Sequence, residues 1–322
     1  MQKHFEIRYL SLTVTLTALQ TAELPAFLGS TLRGVVGQAL LQTDQEACAF
    51  LYRNGDGEVN GKITAKPYMI LPPKVCTPQT VIEQGDYLKF KILLFGRAEK
   101  YLSSVVSALV RIGRFGLGAR RYQFELRDII DSQTQRIVWH RGQYFKAAAT
   151  AAMVPYRRMR NAAGAVVELC TPLRIRHGGR LLRTLSFQTL IRNIINRIAD
   201  LTERYGGWLD KEEADKVLES AGNIQTVYEG VKMIGLERYS NRIDRKMDFS
   251  GLCGRIEYAG EMSQLIVFKH SKELGDCPAY KLFDAVEIKK KEEVEYPRKY
   301  QDYIVEVHKE QIPETVEVKR MV

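Results

Sequence analysis

The sequence predicts an α+β protein of two tandem lobes. Its 322 residues fit two domains of about 150 better than one. Apolar residues switch repeatedly between a period of two and a period near 3.6, and the order of these stretches in the first half recurs in the second. With 45% hydrophobic and 27% charged residues, the chain has enough apolar side chains to bury a core in each half.

The elements follow in order. Residues 5–19 alternate, with Ile7, Tyr9, Leu12, Val14, Leu16 and Ala18 spaced mostly by two, as in a half-buried strand. Pro25 is expected to open a helix whose apolar face is Leu28, Leu32, Val35, Val36, Ala39 and Leu40. Gly29, Gly34 and Gly37 weaken that helix by about 1 kcal/mol each relative to alanine, which points to a close approach by sheet, backbone or ligand. Residues 44–65, with Asn-Gly-Asp-Gly, read as a loop. Lys66–Ile70 and Tyr87–Phe95 read as strands, Arg97–Ile112 as a helix, and Tyr122–Ile130 as the strand closing this half.

After a basic connector at Tyr156–Arg160, Val166–Ile175 reads as extended. Thr184–Tyr205 is the clearest helix, striped by Leu190, Ile191, Ile194, Ile195, Ile198 and Leu201. Asp210–Gly222 is a helix or an excursion, Val231–Leu236 and Met247–Tyr258 are extended, Gly260–His270 is helical, and Tyr280–Ile288 is a last strand. Two ferredoxin-like βαββαβ units fit this order. The expected division is residues 1–150, residues 151–288 and a charged C-terminal extension, 289–322.

Lys and Arg number 48 against 38 acids, a net charge of +10 that favours a polyanionic partner. No apolar run approaches the roughly 20 residues that span a bilayer, and Met1–Leu10 is charged where a signal peptide would be apolar, so a cytoplasmic protein without a membrane partner is expected. The five cysteines form no Cys-x-x-Cys pair and the five histidines no i, i+4 pair, so neither a metal nor another cofactor is expected.

From Pro155 to Arg197 stand nine arginines, Arg157, Arg158, Arg160, Arg174, Arg176, Arg180, Arg183, Arg192 and Arg197, with no lysine and one acid, Glu168. The guanidinium fork matches phosphate bidentately and stacks on bases, so this density points to nucleic acid. The stretch Gly113-Arg-Phe-Gly-Leu-Gly118-Ala-Arg-Arg offers Arg114, Arg120 and Arg121 beside glycines that would let backbone amides approach phosphate, or that serve a tight helix-to-strand turn.

Several stretches taken together resemble the CRISPR repeat-processing endoribonucleases of the RAMP superfamily. In the first half these are Leu24-Pro-Ala-Phe-Leu-Gly-Ser-Thr-Leu-Arg-Gly34, Lys66-Pro-Tyr-Met-Ile and Phe95-Gly-Arg-Ala through Gly116-Leu-Gly118. In the second they are Thr171-Pro-Leu-Arg-Ile-Arg, the helix through Asn196-Arg197-Ile198, Arg238-Tyr-Ser-Asn-Arg242 and Gly251-Leu-Cys-Gly254. The resemblance covers about residues 5–288. It implies binding of CRISPR repeat RNA, precursor and mature, and metal-free cleavage by attack of a ribose 2′-hydroxyl on the adjacent phosphate. It also admits other effector subunits, or a second copy of the chain, as partners. RNA contacts are expected from Arg114, Arg120, Arg121, Arg157, Arg158, Arg174, Arg180, Arg183, Arg238 and Arg242, and chemistry from Arg33, Arg176 and His177.

The chain departs from the family twice. Many relatives carry a histidine in or just after the first helix, whereas here none occurs between His4 and His140, and Gln38, Gln42, Cys48, Tyr52 and Arg53 follow Arg33 instead. Between His270 and Tyr280 the family's glycine-rich loop is replaced by Ser-Lys-Glu-Leu-Gly-Asp-Cys-Pro-Ala. His177 is then the one histidine in a basic neighbourhood, and catalysis by arginine electrostatics alone is the alternative. A non-catalytic subunit that holds guide RNA, or a basic protein scaffold, are the rival functions.

Overall fold

A computed structural model of the chain describes residues 5–25, 27–53, 65–73, 79–153, 157–158, 163–235, 237–240, 245–248, 250–262, 266–267 and 286–290. All belong to one compact unit, Met1–Lys290. The first lobe is built from β1 (Arg8–Ala18), α1 (Gly29–Thr43), β2 (Tyr68–Leu71), β3 (Tyr87–Phe95), α2 (Leu102–Val110) and β4 (Phe124–Asp131). Its strands stand in the order β2-β3-β1-β4, each antiparallel to its neighbour. On β1 the even residues Leu10, Leu12, Val14 and Leu16 are buried in one core with Leu32, Val36 and Leu40 of α1 and Val105 and Leu109 of α2. The two-residue period of the strand therefore sends its odd residues to the opposite face.

Several boundaries differ from the sequence reading. Ala22–Pro25 is a strand paired with Gln79–Ile82, and α1 opens only at Gly29. A proline, which cannot donate to a ladder, is tolerated at a strand's edge or end. Residues 45–53, expected as loop, are helical, with a short α-turn Gln45–Cys48 capped by Asp44, whose carboxylate accepts the Ala47 N–H at 2.9 Å, and a π-turn Ala49–Arg53. Gly96–Tyr101 is a 3-10 turn, leaving α2 shorter than expected. The first half does not close at β4. Its sheet continues through β5 (Ile137–His140) and Gln143–Tyr144, and Ala152–Met153 returns to pair with Tyr9 and Arg8.

The second lobe contains β6 (Gly164–Leu173), α3 (Phe187–Tyr205), α4 (Lys211–Ala221), β7 (Gln225–Ile234), β8 (Gly251–Ala259) and β9 (Val286–Lys290). Its sheet runs β7-β8-β6-β9, all antiparallel, so in both lobes the principal strands stand in the order second, third, first, fourth. The helix expected at Gly260–His270 does not form over that span. Residues 260–262 are not helical, and Ile266–Val267 is extended and pairs with Arg157–Arg158. Most of that stretch and the loop before Tyr280 lie outside the described residues, as does the tail beyond Lys290.

The apolar stripe of α3 is divided between two cores. Phe187, Leu190 and Ile191 pack on the second sheet with Leu169, Ile256 and Tyr258, whereas Ile198, Leu201 and Tyr205 lie on the outward face of the first sheet with Tyr9, Met69, Leu71 and Leu93. Ile194 touches both clusters. The seam is extended by Phe5 and Glu6, which pair with Leu209 and Trp208.

Tyr258 sits in the second core, its hydroxyl donating to the Leu185 carbonyl at 2.6 Å, and burial pushes its ionisation well above the ordinary tyrosine range. A raised tyrosine contributes stability fully present below its unfolded value of about 10 and lost as pH rises through the folded one. Urea unfolding should therefore show Tyr258→Phe less stable than wild type by about 1 kcal/mol near neutral pH. The gap should narrow above about pH 10, and a constant gap would exclude Tyr258 as a source of alkaline instability.

Candidate nucleic-acid site

Arg33 projects from the exposed side of α1 at the centre of a cluster the chain assembles from three segments. The helical turn held by Asp44 folds back along α1, and the Tyr52 hydroxyl donates to the Arg33 carbonyl at 2.9 Å. This return is why Gly37 has no side chain, since a Cβ there would lie 2.7 Å from the Tyr52 ring. Tyr52 stacks on Tyr68 of β2 with ring centroids 4.8 Å apart, and the Arg33 guanidinium lies 5.9 Å from the first ring and 5.6 Å from the second. Lys66 donates to the Tyr52 carbonyl at 2.8 Å. Burial, and next the Tyr68 hydroxyl beside it, raise the Tyr52 ionisation well above its ordinary value, so at neutral pH this phenol keeps its proton and acts as a donor. Two cations and two phenols thus meet, with Arg33 exposed, Tyr52 and Lys66 half-buried and Tyr68 buried beneath them.

The second lobe fixes one wall of this cluster. The Asp200 carboxylate of α3 accepts the Ala65 N–H, and the Tyr205 hydroxyl donates to the Ala65 carbonyl at 2.9 Å, so both polar backbone groups of the residue before Lys66 are held by the other lobe's helix. Asp200 is itself paired with Arg204 at 2.7 Å, and Arg97 of the first lobe donates to the Arg204 carbonyl. Arg197 lies one helical turn before Asp200 on α3.

Arg176, His177 and Arg180 come together elsewhere, on an exposed hairpin of the second lobe. Arg176 pairs with Leu181 and His177 with Arg180 across Gly178 (φ +56°) and Gly179 (φ +81°), a turn with two positive φ angles of the kind glycine allows without strain. His177, Arg180 and Arg183 are exposed, and Arg176, also exposed, donates to the hairpin's own Gly179 carbonyl at 3.3 Å. Arg174 differs. It is mostly buried, donates to the Ser250 carbonyl and lies 3.5 Å from Asp248, tying the end of β6 to the start of β8.

Arg114, Arg120 and Arg121 are all exposed around the turn after α2. The backbone amides of Leu117, Arg121 and Tyr122 are bonded within that turn, and Gly116 (φ +65°) and Gly118 (φ +76°) take left-handed conformations there. Arg120 reaches Glu23 at 3.4 Å and the Tyr122 hydroxyl at 3.3 Å. Of Arg157, Arg158 and Arg238 only the extended backbone is described, and Arg242 lies outside the described residues. Among the described residues no group of three or more His, Cys, Asp or Glu is arranged to hold a metal, and no helix is long and apolar enough to cross a membrane.

Comparison with known families adds to this geometry. Residues 167–276 match the family of the CRISPR-associated endoribonuclease Cas6. The second lobe is thus similar to that family. A separate N-terminal domain family matches residues 7–152. Comparison with curated proteins finds no significant match. Among solved structures, a partial Cas6-RT-Cas1–Cas2 complex superposes over 96% of this chain and 55% of its own, at 12% identity and a TM-score of 0.51, which shows a shared fold. Thermus thermophilus Cas6 covers 86% of this chain and 92% of its own at 12% identity and a TM-score of 0.45. A Cas6 product complex covers 86% and 94% at 12% identity and a TM-score of 0.48.

The sequence pattern singles out Arg33 but not Lys66 or Tyr68, and it marks Tyr52 only as a residue standing where a histidine is expected. The signal that could have found them is the Asp44 cap, which turns the supposed loop into a helix returning to Arg33.

The two kinds of arginine should separate by experiment. Arg174→Ala should destabilise the fold by about 1.5–3 kcal/mol, because it breaks bonds from a charged donor. Arg176→Ala with Arg180→Ala should leave the melting temperature unchanged and flatten the salt dependence of RNA affinity by roughly 0.7 log units for each single-strand phosphate no longer neutralised. Thermal melts beside binding at graded salt check both. An unchanged slope would remove the hairpin from the RNA site.

Proposed function

We propose that this chain binds the repeat of a CRISPR precursor RNA and cleaves it to make guide RNA, acting in the cytoplasm as two βαββαβ-derived lobes that meet near residue 150. The observation that carries this reading is the cluster of Arg33, Tyr52, Lys66 and Tyr68 beside α3, in a chain whose residues 167–276 match the Cas6 family.

In the proposed reaction a ribose 2′-hydroxyl loses its proton and its oxygen bonds to the adjacent phosphorus. The bond from phosphorus to the 5′ oxygen breaks, and that oxygen takes up a proton, leaving a 2′,3′-cyclic phosphate and a 5′-hydroxyl. Arg33 and Lys66 supply positive charge where the phosphorane becomes more negative, and the stacked Tyr52 and Tyr68 rings hold the Arg33 guanidinium in place. Arg176 and His177 meet the RNA from the second lobe, with His177 as the candidate general base. The other exposed arginines, Arg114, Arg121, Arg180 and Arg183, serve as phosphate contacts.

The absence of a histidine from the first-lobe cluster favours one second reading, a subunit that holds guide RNA in an effector complex without cutting it. Single-turnover cleavage of the cognate repeat in excess chelator decides between them. Wild type should cleave, and Arg33→Ala should lose about 10²–10³ in rate with RNA affinity retained. A rise in rate with pH that disappears in His177→Ala makes His177 the base, whereas a profile without it leaves the work to Arg33 and Lys66. Binding without any cleavage by wild type would establish the holding role, and rescue of chelated enzyme by magnesium would overturn the reaction class.

A further inference from the structure

Among the described residues, α3 covers one end of the outward face of the first sheet. There Tyr9 pairs with Phe95, and Met69 with Leu93, beneath Ile198, Leu201 and Tyr205. Directly opposed residues of an antiparallel pair share a face. Continuing along the register, Thr13 stands opposite Lys91, Thr15 opposite Lys89 and Thr17 opposite Tyr87. On the other side Thr15 opposes Asp128 and Thr17 opposes Glu125, and the register shift between them places Arg127 in a bulge. Beyond the end covered by α3, the central part of this face thus changes from buried apolar side chains to hydroxyls, two lysines and an aromatic ring.

Tyr87 is 51% exposed, although it lies on a central strand where a packed face would bury it. The Arg127 guanidinium stands 4.2 Å from the centroid of its ring and also lies 3.5 Å from Asp128. Beside this pair opens a cleft of ≈480 Å³ whose polar lining is Thr17, Glu125, Arg127, His140 and Arg141, within the size range of small-ligand sites. Lys89, Lys91, Arg127 and Arg141 outnumber the acids Glu125 and Asp128 here, so the face is complementary to an anion.

We infer that this face, centred on Tyr87 and Arg127, is a second RNA surface that takes an unpaired segment of the transcript, with one base on the Tyr87 ring and its flanking phosphates on Lys89 and Arg127. It rests on the reading of the chain as an RNA-binding protein and concerns a surface separate from the Arg33 cluster. The ring is already capped by a planar cation, and a base is the planar group that replaces it, freeing the guanidinium for phosphate. A stacking platform reads no Watson–Crick edge, so the surface tolerates different bases and selects for single strands.

The test uses the full chain and a single-stranded RNA long enough to extend beyond the cleaved repeat, with binding followed by anisotropy at graded salt. Tyr87→Ala should weaken binding by roughly 5- to 150-fold, the range of one missing base stack, and Tyr87→Phe should restore it. Lys89→Ala with Arg127→Ala should reduce the salt slope by about 0.7 for each phosphate left without its cation. The saturated single-turnover rate should not change in any of them, and 4-thiouridine RNA should crosslink at Tyr87. Folded Tyr87→Ala and Lys89→Ala/Arg127→Ala proteins that bind as wild type does, with no crosslink at Tyr87, would overturn the surface while leaving the RNA-processing reading intact. A wild type that binds no RNA would overturn both.

Discussion

The architecture depends on one hydrophobic stripe shared by two cores. Seven positions of α3, from Phe187 to Tyr205, follow the three-and-four spacing of a single helical face. Its first half completes the second sheet and its second half covers part of the first, with Ile194 in both. Fully burying a leucine, isoleucine or aromatic side chain contributes about 1.5–3 kcal/mol, so the three residues set on the first sheet join the lobes with a substantial share of a domain's net stability. The described parts of the two lobes accordingly belong to one compact unit.

The same contact organises the polar chemistry. Asp200 and Tyr205 hold the backbone of Ala65 because the apolar residues around them have already brought α3 to that place. Lys66 is thereby directed to the Tyr52 carbonyl, and Tyr68 to the Tyr52 ring. Removing water from Tyr52 raises its ionisation further above the ordinary tyrosine value, so the phenol stays protonated into the alkaline range.

The arginines that dominate the sequence divide by environment. Arg174 is engaged with Ser250 and Asp248, whereas His177, Arg180 and Arg183 stand in solvent around a hairpin whose two glycines make the turn. Solvated cations on a short rigid hairpin keep their charge available to a polyanion, while an arginine satisfied by a carbonyl and a carboxylate acts mainly as a tie. Arginine density alone reports neither role.

Local pattern accounts for much of this molecule. Alternation in Arg8–Ala18, the full span Tyr87–Phe95, the stripe of α3 and the unopposed arginines between Pro155 and Arg197 are properties of neighbouring residues, and periodicity reads them directly. Local reading fails where a short-range signal is weak or is overruled. The Asn-Gly-rich stretch after Asp44 conceals a helical turn, and Pro25 resembles a helix start although it ends a strand whose partner, Gln79–Ile82, lies far along the chain. Local spacing and net charge are enough for an α+β chain, its principal helices and strands and an anionic partner, because each is a property of residues close in sequence or of the composition. That one stripe serves two cores, that Arg33, Tyr52, Lys66 and Tyr68 meet, and that Tyr87 stays exposed are consequences of tertiary packing. Each depends on which distant surfaces exclude water from one another, and no window of neighbouring residues contains that information.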